Sequence, residues 1–172
     1  KADKTGEFVV TNEDFTGVKD ADGNLTGWTK EDPNPGSYDS YYIPEMKQAG
    51  WKGTQYAPYT DYICLDGWQY YHNHQDAGLI SPELDMSKDG GKFAVSVKLA
   101  SAPVTAVDKD GKEFTAYPQA AFALFNYNET TCDYEQAELI YPEGYPKAVN
   151  DNWKNFTVNF TKGSKKSIIG IY

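Results

Sequence analysis

Arginine is absent from this chain: its 16 basic residues are all lysine. Without the planar guanidinium fork there is no bidentate grip on carboxylate or phosphate, which argues against nucleotide and phospho-ligand chemistry. Acidic residues number 25, leaving a formal net charge of -9. Such a body repels phosphate backbones and anionic membranes, so nucleic acid is excluded as a partner. The two cysteines, Cys64 and Cys132, form no C-x-x-C pair, so a zinc or redox motif is unsupported. One disulfide and two buried free thiols are both open, since spacing alone does not bring Cα atoms within reach. Cys64 sits in an apolar run, which favours an inert thiol over a Cys–His nucleophile. No stretch approaches the roughly 20 apolar residues of a membrane span, so membrane insertion is not expected. No G-x-S-x-G, H-E-x-x-H or phosphate-cradling glycine loop occurs. A signal peptide is also missing, and the opening "KADKTGEFVV" has no initiator Met. A mature start with the export signal removed is favoured over a cytosolic one.

What is present points to β-structure. The 172 residues are 40% hydrophobic and 15% aromatic, which is enough to build one core in one domain, 1–172. Tyrosine is the unusual component, at 14, and suits both half-buried strands and contact surfaces. In "KFAVSVKLA", 92–100, Phe93, Val95, Val97 and Leu99 alternate with smaller or polar residues, as in a half-buried strand. "NFTVNF", 155–160, repeats the pattern with Phe156, Val158 and Phe160 inward. "QAAFALFNY", 119–127, is more apolar and reads as a central strand. "EFVVTNEDF", "TDYICLD", "QAELIY" and "KSIIGIY" are further strand candidates. Asp-Gly in "VDKDGKEF", 107–114, predicts a hairpin. Loops are expected at 19–27, 31–39 and 87–92, and a single short helix from Pro44 to about Ala49, ending at Gly50. Many short strands with almost no helix indicate an antiparallel two-sheet β-sandwich.

Three segments carry a family resemblance. "NEDFTG", 12–17, followed by "GWTKED", 27–32, is similar to the opening of the cleaved-adhesin or choice-of-anchor jelly-roll domains of secreted and surface proteins of Bacteroidetes. "GLISPELDMS", 78–87, resembles the Leu-Ile-Ser-Pro segment of that family. The resemblance implies a galactose-binding-like jelly roll, export as part of a larger secreted or cell-surface protein, and a role in adhesion or carbohydrate binding. It also implies structural calcium near the first strand, where Glu13, Asp14 and Phe15 match the acidic-aromatic opening. Thr16 departs from the family's usual acid at that place, and the Asp-Asp strand that often closes the family is absent.

Several constellations compete as sites. His72, His74 and Asp76 would share one side of an extended strand and converge on zinc. "NHQDAG" reads better as a polar loop leading into a buried strand at 79, with a ligand edge as the lesser alternative. Asp20, Asp22 and Asn24 alternate oxygen donors as calcium loops do, but Gly23 stands at position four of that run rather than six. The competing account is an Asx-rich turn. Glu83 and Asp85 lie two apart in "PELDMSK". The Glu-x-Asp-x-x-Glu of one family of sandwich glycosidases would need an acid at 88, where Lys88 stands, and a retaining pair needs two carboxyls about 5–5.5 Å apart. Sequons occur at Asn24, Asn128, Asn155 and Asn159 and are read as chance matches.

Aromatics crowd residues 38–71. Trp51, Tyr56 and Tyr59 lie among Gly, Pro, Thr and Gln, so loops are expected there, and with Trp68 and Tyr70 they are the candidate sugar-stacking residues. The alternative is a mini-core folded over one end of the sandwich. The sequence thus points to a non-catalytic adhesion or carbohydrate-binding module, partnered by a glycan or a host or surface protein. A structural accessory domain and a sandwich-fold glycoside hydrolase are the alternatives.

Overall fold

Period two in the sequence becomes period two in burial. The computed structural model describes residues 41–42, 50–54, 56–59, 62–65, 77–100, 104–116, 119–142 and 153–172. Its strands are β1 (Tyr41–Tyr42), β2 (Lys52–Thr54), β3 (Tyr56–Tyr59), β4 (Tyr62–Leu65), β5 (Gly78–Ile80), β6 (Phe93–Leu99), β7 (Val104–Val107), β8 (Glu113–Ala116), β9 (Phe122–Asn128), β10 (Asp133–Ile140), β11 (Lys154–Phe160) and β12 (Ser167–Ile171). The expected strand at 7–15, the helix at 44–49 and the loops at 19–27 and 31–39 lie outside the described residues.

Six strands form one antiparallel sheet in the order β1-β2-β5-β12-β9-β10, and β6 pairs with β11 in a second layer. In the second layer Phe160 faces Phe93, Val158 faces Val95, and Phe156 faces Val97. Phe93 and Phe160 stack with centroids 5.2 Å apart. Phe93, Val95, Val97, Val158 and Phe160 pack in one cluster with Leu79, Phe122, Leu124, Ile169 and Ile171 of the large sheet, so the core lies between the layers. The outward residues of β6 and β11 are polar or small, and Ser96 and Thr157 share a hydrogen bond at 2.9 Å. The architecture is an all-β sandwich. β5 pairs with β12 in one layer while β6 pairs with β11 in the other. Nested pairs on opposite layers are how a long antiparallel ribbon wraps into a two-sheet roll.

Local chemistry sets the turns. The β7–β8 hairpin forms as expected, with Val107 opposite Glu113. Asp108 Oδ1 accepts from the amides of Asp110 and Lys112, both at 2.9 Å, and Gly111 supplies the positive φ of 80°. The 87–92 loop closes through a 3₁₀ turn at Lys88–Gly91, in which Asp89 and Gly90 take left-handed φ values of 49° and 63°. There Gly91 and Gly163 touch backbone to backbone: a Cβ on Gly163 would stand 2.3 Å from the Met86 carbonyl oxygen.

The "LISP" segment has an architectural explanation. Leu79 enters the core, and Ser81 extends the β5–β12 ladder through its side chain, accepting the Ile169 amide on Oγ at 2.9 Å. The expectation for the cysteines needs correction, because Cys132 is free and exposed rather than disulfide-bonded or buried. It ends the β9–β10 turn at φ 56° and donates its amide to the Asn128 carbonyl at 2.8 Å.

Phe160 is 1% exposed at the centre of the core. Phe160→Ala is expected to cost about 3–5 kcal/mol in urea unfolding, as truncation of a buried aromatic does. Gly163→Ala must displace backbone rather than a flexible side chain and is expected to cost about 1–3 kcal/mol. The same measurement on Gly111→Ala, where a Cβ meets open space, isolates the left-handed penalty of about 1–2 kcal/mol.

Candidate functional site

Of the residues first expected to bind, Trp51, Tyr56 and Tyr59 lie among the described residues. Trp51 is only 8% exposed and belongs to the core cluster, so it is not the exposed platform expected of it. It immediately precedes β2. Its indole Nε1 is buried and has no hydrogen-bond partner among the described residues. Tyr56 and Tyr59 were expected in loops; instead they begin and end β3, paired with Leu65 and Tyr62 of β4. Tyrosine's preference for extended backbone prevails there, and Pro58 is tolerated because β3 pairs on one side only among the described residues. Trp68, Tyr70, His72, His74 and Asp76 lie outside the described residues, as do the calcium candidates Glu13, Asp14, Asp20 and Asp22. The strand into which 72–76 leads is present as β5, with Gly78 and Leu79 buried. Among the described residues no three His, Cys, Asp or Glu side chains gather as a metal-holding group.

Glu83 and Asp85 do share an exposed side, because the segment is extended and Leu84 and Met86 point into the core. Each carboxylate bonds a hydroxyl. Asp85 Oδ1 accepts from Ser87 Oγ at 2.6 Å and from the Ser87 amide at 3.0 Å. These two bonds, the hydroxyl first, hold the Asp85 pKa below its ordinary value. Glu83 accepts a short hydrogen bond from the Tyr134 hydroxyl.

Tyr134 leads to a cluster that the sequence did not disclose. β10 pairs with β9 so that Tyr134 lies directly opposite Tyr127, and the rings meet edge to face with centroids 5.4 Å apart. Lys166, just before β12, places Nζ 4.7 Å from the Tyr127 ring centroid and 2.9 Å from Glu129 Oε1. The Glu129 carboxylate raises the Lys166 pKa. Burial, and then the hydrogen bond to Glu83, push the Tyr134 phenol up to about 12. Around the same hairpin, an open groove of about 450 Å³ is lined by Asn126, Tyr127, Asn128, Glu129, Thr130, Glu135, Gln136 and Ala137. Internal bonds fix several of these groups. Glu135 Oε1 accepts from Asn128 Nδ2 and Thr131 Oγ1, both at 3.0 Å. Asn126 donates to the Lys162 carbonyl at 2.7 Å and accepts from Ser167 Oγ at 2.7 Å.

The only trace of this site in the sequence is the tyrosine at one end of "QAAFALFNY" and another two residues into the next strand. Their adjacency depends on the β9–β10 register, which a four-residue turn fixes at Glu129–Cys132.

No protein-family model matches the chain, and neither a curated protein nor a solved structure matches it. Among the described residues no helix is long and apolar enough to cross a membrane.

Tyr134 gives the pH-dependent prediction. Its raised pKa means the fold prefers the neutral phenol, so this contribution to stability is complete below pH about 10 and is lost as pH rises towards 12. In a tyrosine 13Cζ NMR titration, a resonance with its midpoint raised towards 12 is expected, and it should disappear in Tyr134→Phe. Glu83→Gln should bring its midpoint down but not back to 10.0, because burial is the larger cause. A full return to the ordinary value would assign the shift to Glu83 alone.

Proposed function

We propose that this chain is a non-catalytic extracellular module that binds a glycan through the open groove of the β9–β10 hairpin. One observation carries the reading: the groove at the Tyr127 hairpin is lined by amide, hydroxyl and carboxylate side chains, several of them held in place by their neighbours. Sugars present apolar C–H faces to an aromatic ring and hydroxyls to such polar groups. An open groove suits a polymer that runs through it better than a small molecule that must be enclosed. Export and a surface location, as in the adhesin-type domains that the motifs resemble, belong to the same reading. Structural calcium at Glu13 and Asp14 or at Asp20 and Asp22 belongs to it as well.

A second reading, a structural accessory domain of a surface protein, is favoured by the burial of Trp51. Trp51→Ala is therefore a poor probe of binding, since it would damage the core.

The test is binding to a panel of plant, mucin and microbial polysaccharides, with calcium and again with chelator. Saturable binding that weakens by roughly two- to tenfold in Tyr127→Leu, the range expected for one aromatic contact, supports the groove. Loss with chelator alone moves recognition to a metal-dependent site. Failure to bind any member of the panel in either condition overturns the glycan reading and favours the accessory domain.

A further inference from the structure

Core and groove share one face of the β9–β10 hairpin. On that face Leu124 is 0% exposed and belongs to the core, while Asn126, two residues on, lines the groove. Alternation puts Asn128 on the same side as Asn126, and Glu135 lies directly opposite Asn126 in β10. The change from core to groove therefore falls between 124 and 126. Across from that step β10 carries its bulge: Gln136 pairs with Phe125, Glu138 pairs with Leu124, and Ala137 has no partner in the register. Ala137 is also where β10 stops lining the groove. A bulge leaves its extra residue out of the ladder, bends the strand and increases its twist. A bend at this point lets the start of β10 follow the groove while Ile140 stays against the core.

A chain of hydrogen bonds couples the bulge to the groove wall. Glu138 Oε2 accepts the Lys162 amide at 3.0 Å, the Lys162 carbonyl accepts Asn126 Nδ2 at 2.7 Å, and Asn126 Oδ1 accepts the buried Ser167 hydroxyl at 2.7 Å. Both hydrogen-bonding ends of the Asn126 side chain are thereby held. We infer that the β10 bulge is a positioning device for the ligand groove: Ala137 sets the bend, and Glu138 holds Asn126 in place through Lys162. The inference rests on the glycan-binding reading and names the residues that shape its site. The ladder itself does not need the extra residue. Without Ala137, Gln136 and Glu138 would be consecutive, as their partners Phe125 and Leu124 already are, and the other side chains of β10 would keep their faces.

The experiment compares the protein with a variant lacking Ala137, with Glu138→Ala and with Glu138→Gln. Binding to galactomannan, mucin and β-glucan, as members of the polysaccharide panel, is read beside thermal unfolding. The variant lacking Ala137 is expected to unfold at the same temperature as the protein or above it. Its binding should weaken by roughly tenfold or more, the worth of two misplaced hydrogen bonds. Glu138→Ala should weaken binding by roughly two- to tenfold, the worth of one. Glu138→Gln should restore it, because the glutamine oxygen still accepts both amides while its NH2 donates to the Thr161 hydroxyl. A merely structural role predicts instead that binding and unfolding temperature fall together and that the groove keeps its affinity wherever the fold is retained. Unchanged binding in the folded variant lacking Ala137, or in Glu138→Ala, overturns the inference and leaves the glycan reading standing. Failure of the variant lacking Ala137 to fold marks the bulge as a requirement of the sheet and also overturns it. If the protein itself binds no member of the panel, both fall together.

Discussion

Everything in this sandwich depends on β12 lying between β5 and β9. Ile169 donates its amide to Ser81 Oγ across a separation of 88 residues, and the Tyr127 amide reaches the Lys166 carbonyl. Until β12 is inserted, Leu79 and Phe122 have no common neighbour in the sheet. The insertion also places polar groups in a dry environment, and they are provided for. Ser167 is fully buried, and its hydroxyl donates to Asn126 Oδ1 and accepts the Ser164 amide. The Ser81 hydroxyl therefore stands in for a ladder acceptor, and both buried serine hydroxyls are paired, where an unsatisfied one would cost about 1–3 kcal/mol. Such non-local closure has high contact order, so the central strand is expected to be settled late in folding.

The two layers are also joined at their polar end. A bulge between Gln136 and Glu138 shifts the β10 register and sets Glu138 opposite Leu124, on the core-facing side. From there its carboxylate accepts the Thr161 amide at 2.8 Å, the Thr161 hydroxyl at 3.0 Å and the Lys162 amide at 3.0 Å. A regular strand would aim that carboxylate at the opposite face. With Asn126 holding the Lys162 carbonyl, the β11–β12 connection is fixed against the same hairpin that forms the groove. The groove walls are thus anchored to the core through the bulge as well as through the ladder.

Much of the fold was legible because its cause is local. Alternation along 93–99 and 154–160 reports directly which side chains are inward, and those residues are half-buried in the first strand and buried in the second. The Asp-Gly hairpin was legible for the same reason, since Asp108 and Gly111 complete it within one turn. The site was not legible, because its members meet only through register. Tyr127 and Tyr134 read as ordinary strand tyrosines, and Lys166 and Glu129 lie 37 residues apart. Trp51 misled in the opposite direction. Its polar, Gly-rich neighbours suggested a loop, yet burial of a Trp is decided by what packs over it, and Trp51 belongs to a core cluster whose other members come from far along the chain. The "LISP" motif was recognised as a pattern, but its physical role, a serine hydroxyl replacing a backbone group, appears only once β12 is beside it.

The electrostatics of the tyrosine–lysine cluster bear on whether it handles protons or contacts. General acid–base catalysis works best with a pKa near the operating pH. Here both perturbed groups move away from neutrality. Burial and Glu83 keep the Tyr134 phenol protonated to about pH 12, and Glu129 raises Lys166 above an already high value. Asp85 is lowered, which keeps it ionised. Each group therefore holds one protonation state across the physiological range. Those three groups therefore present a fixed donor and fixed charges beside one aromatic face. Such a surface is suited to recognition, because its hydrogen-bonding pattern stays constant while ligands come and go. That constancy, more than the shape of the groove, is what supports the proposal of a contact site.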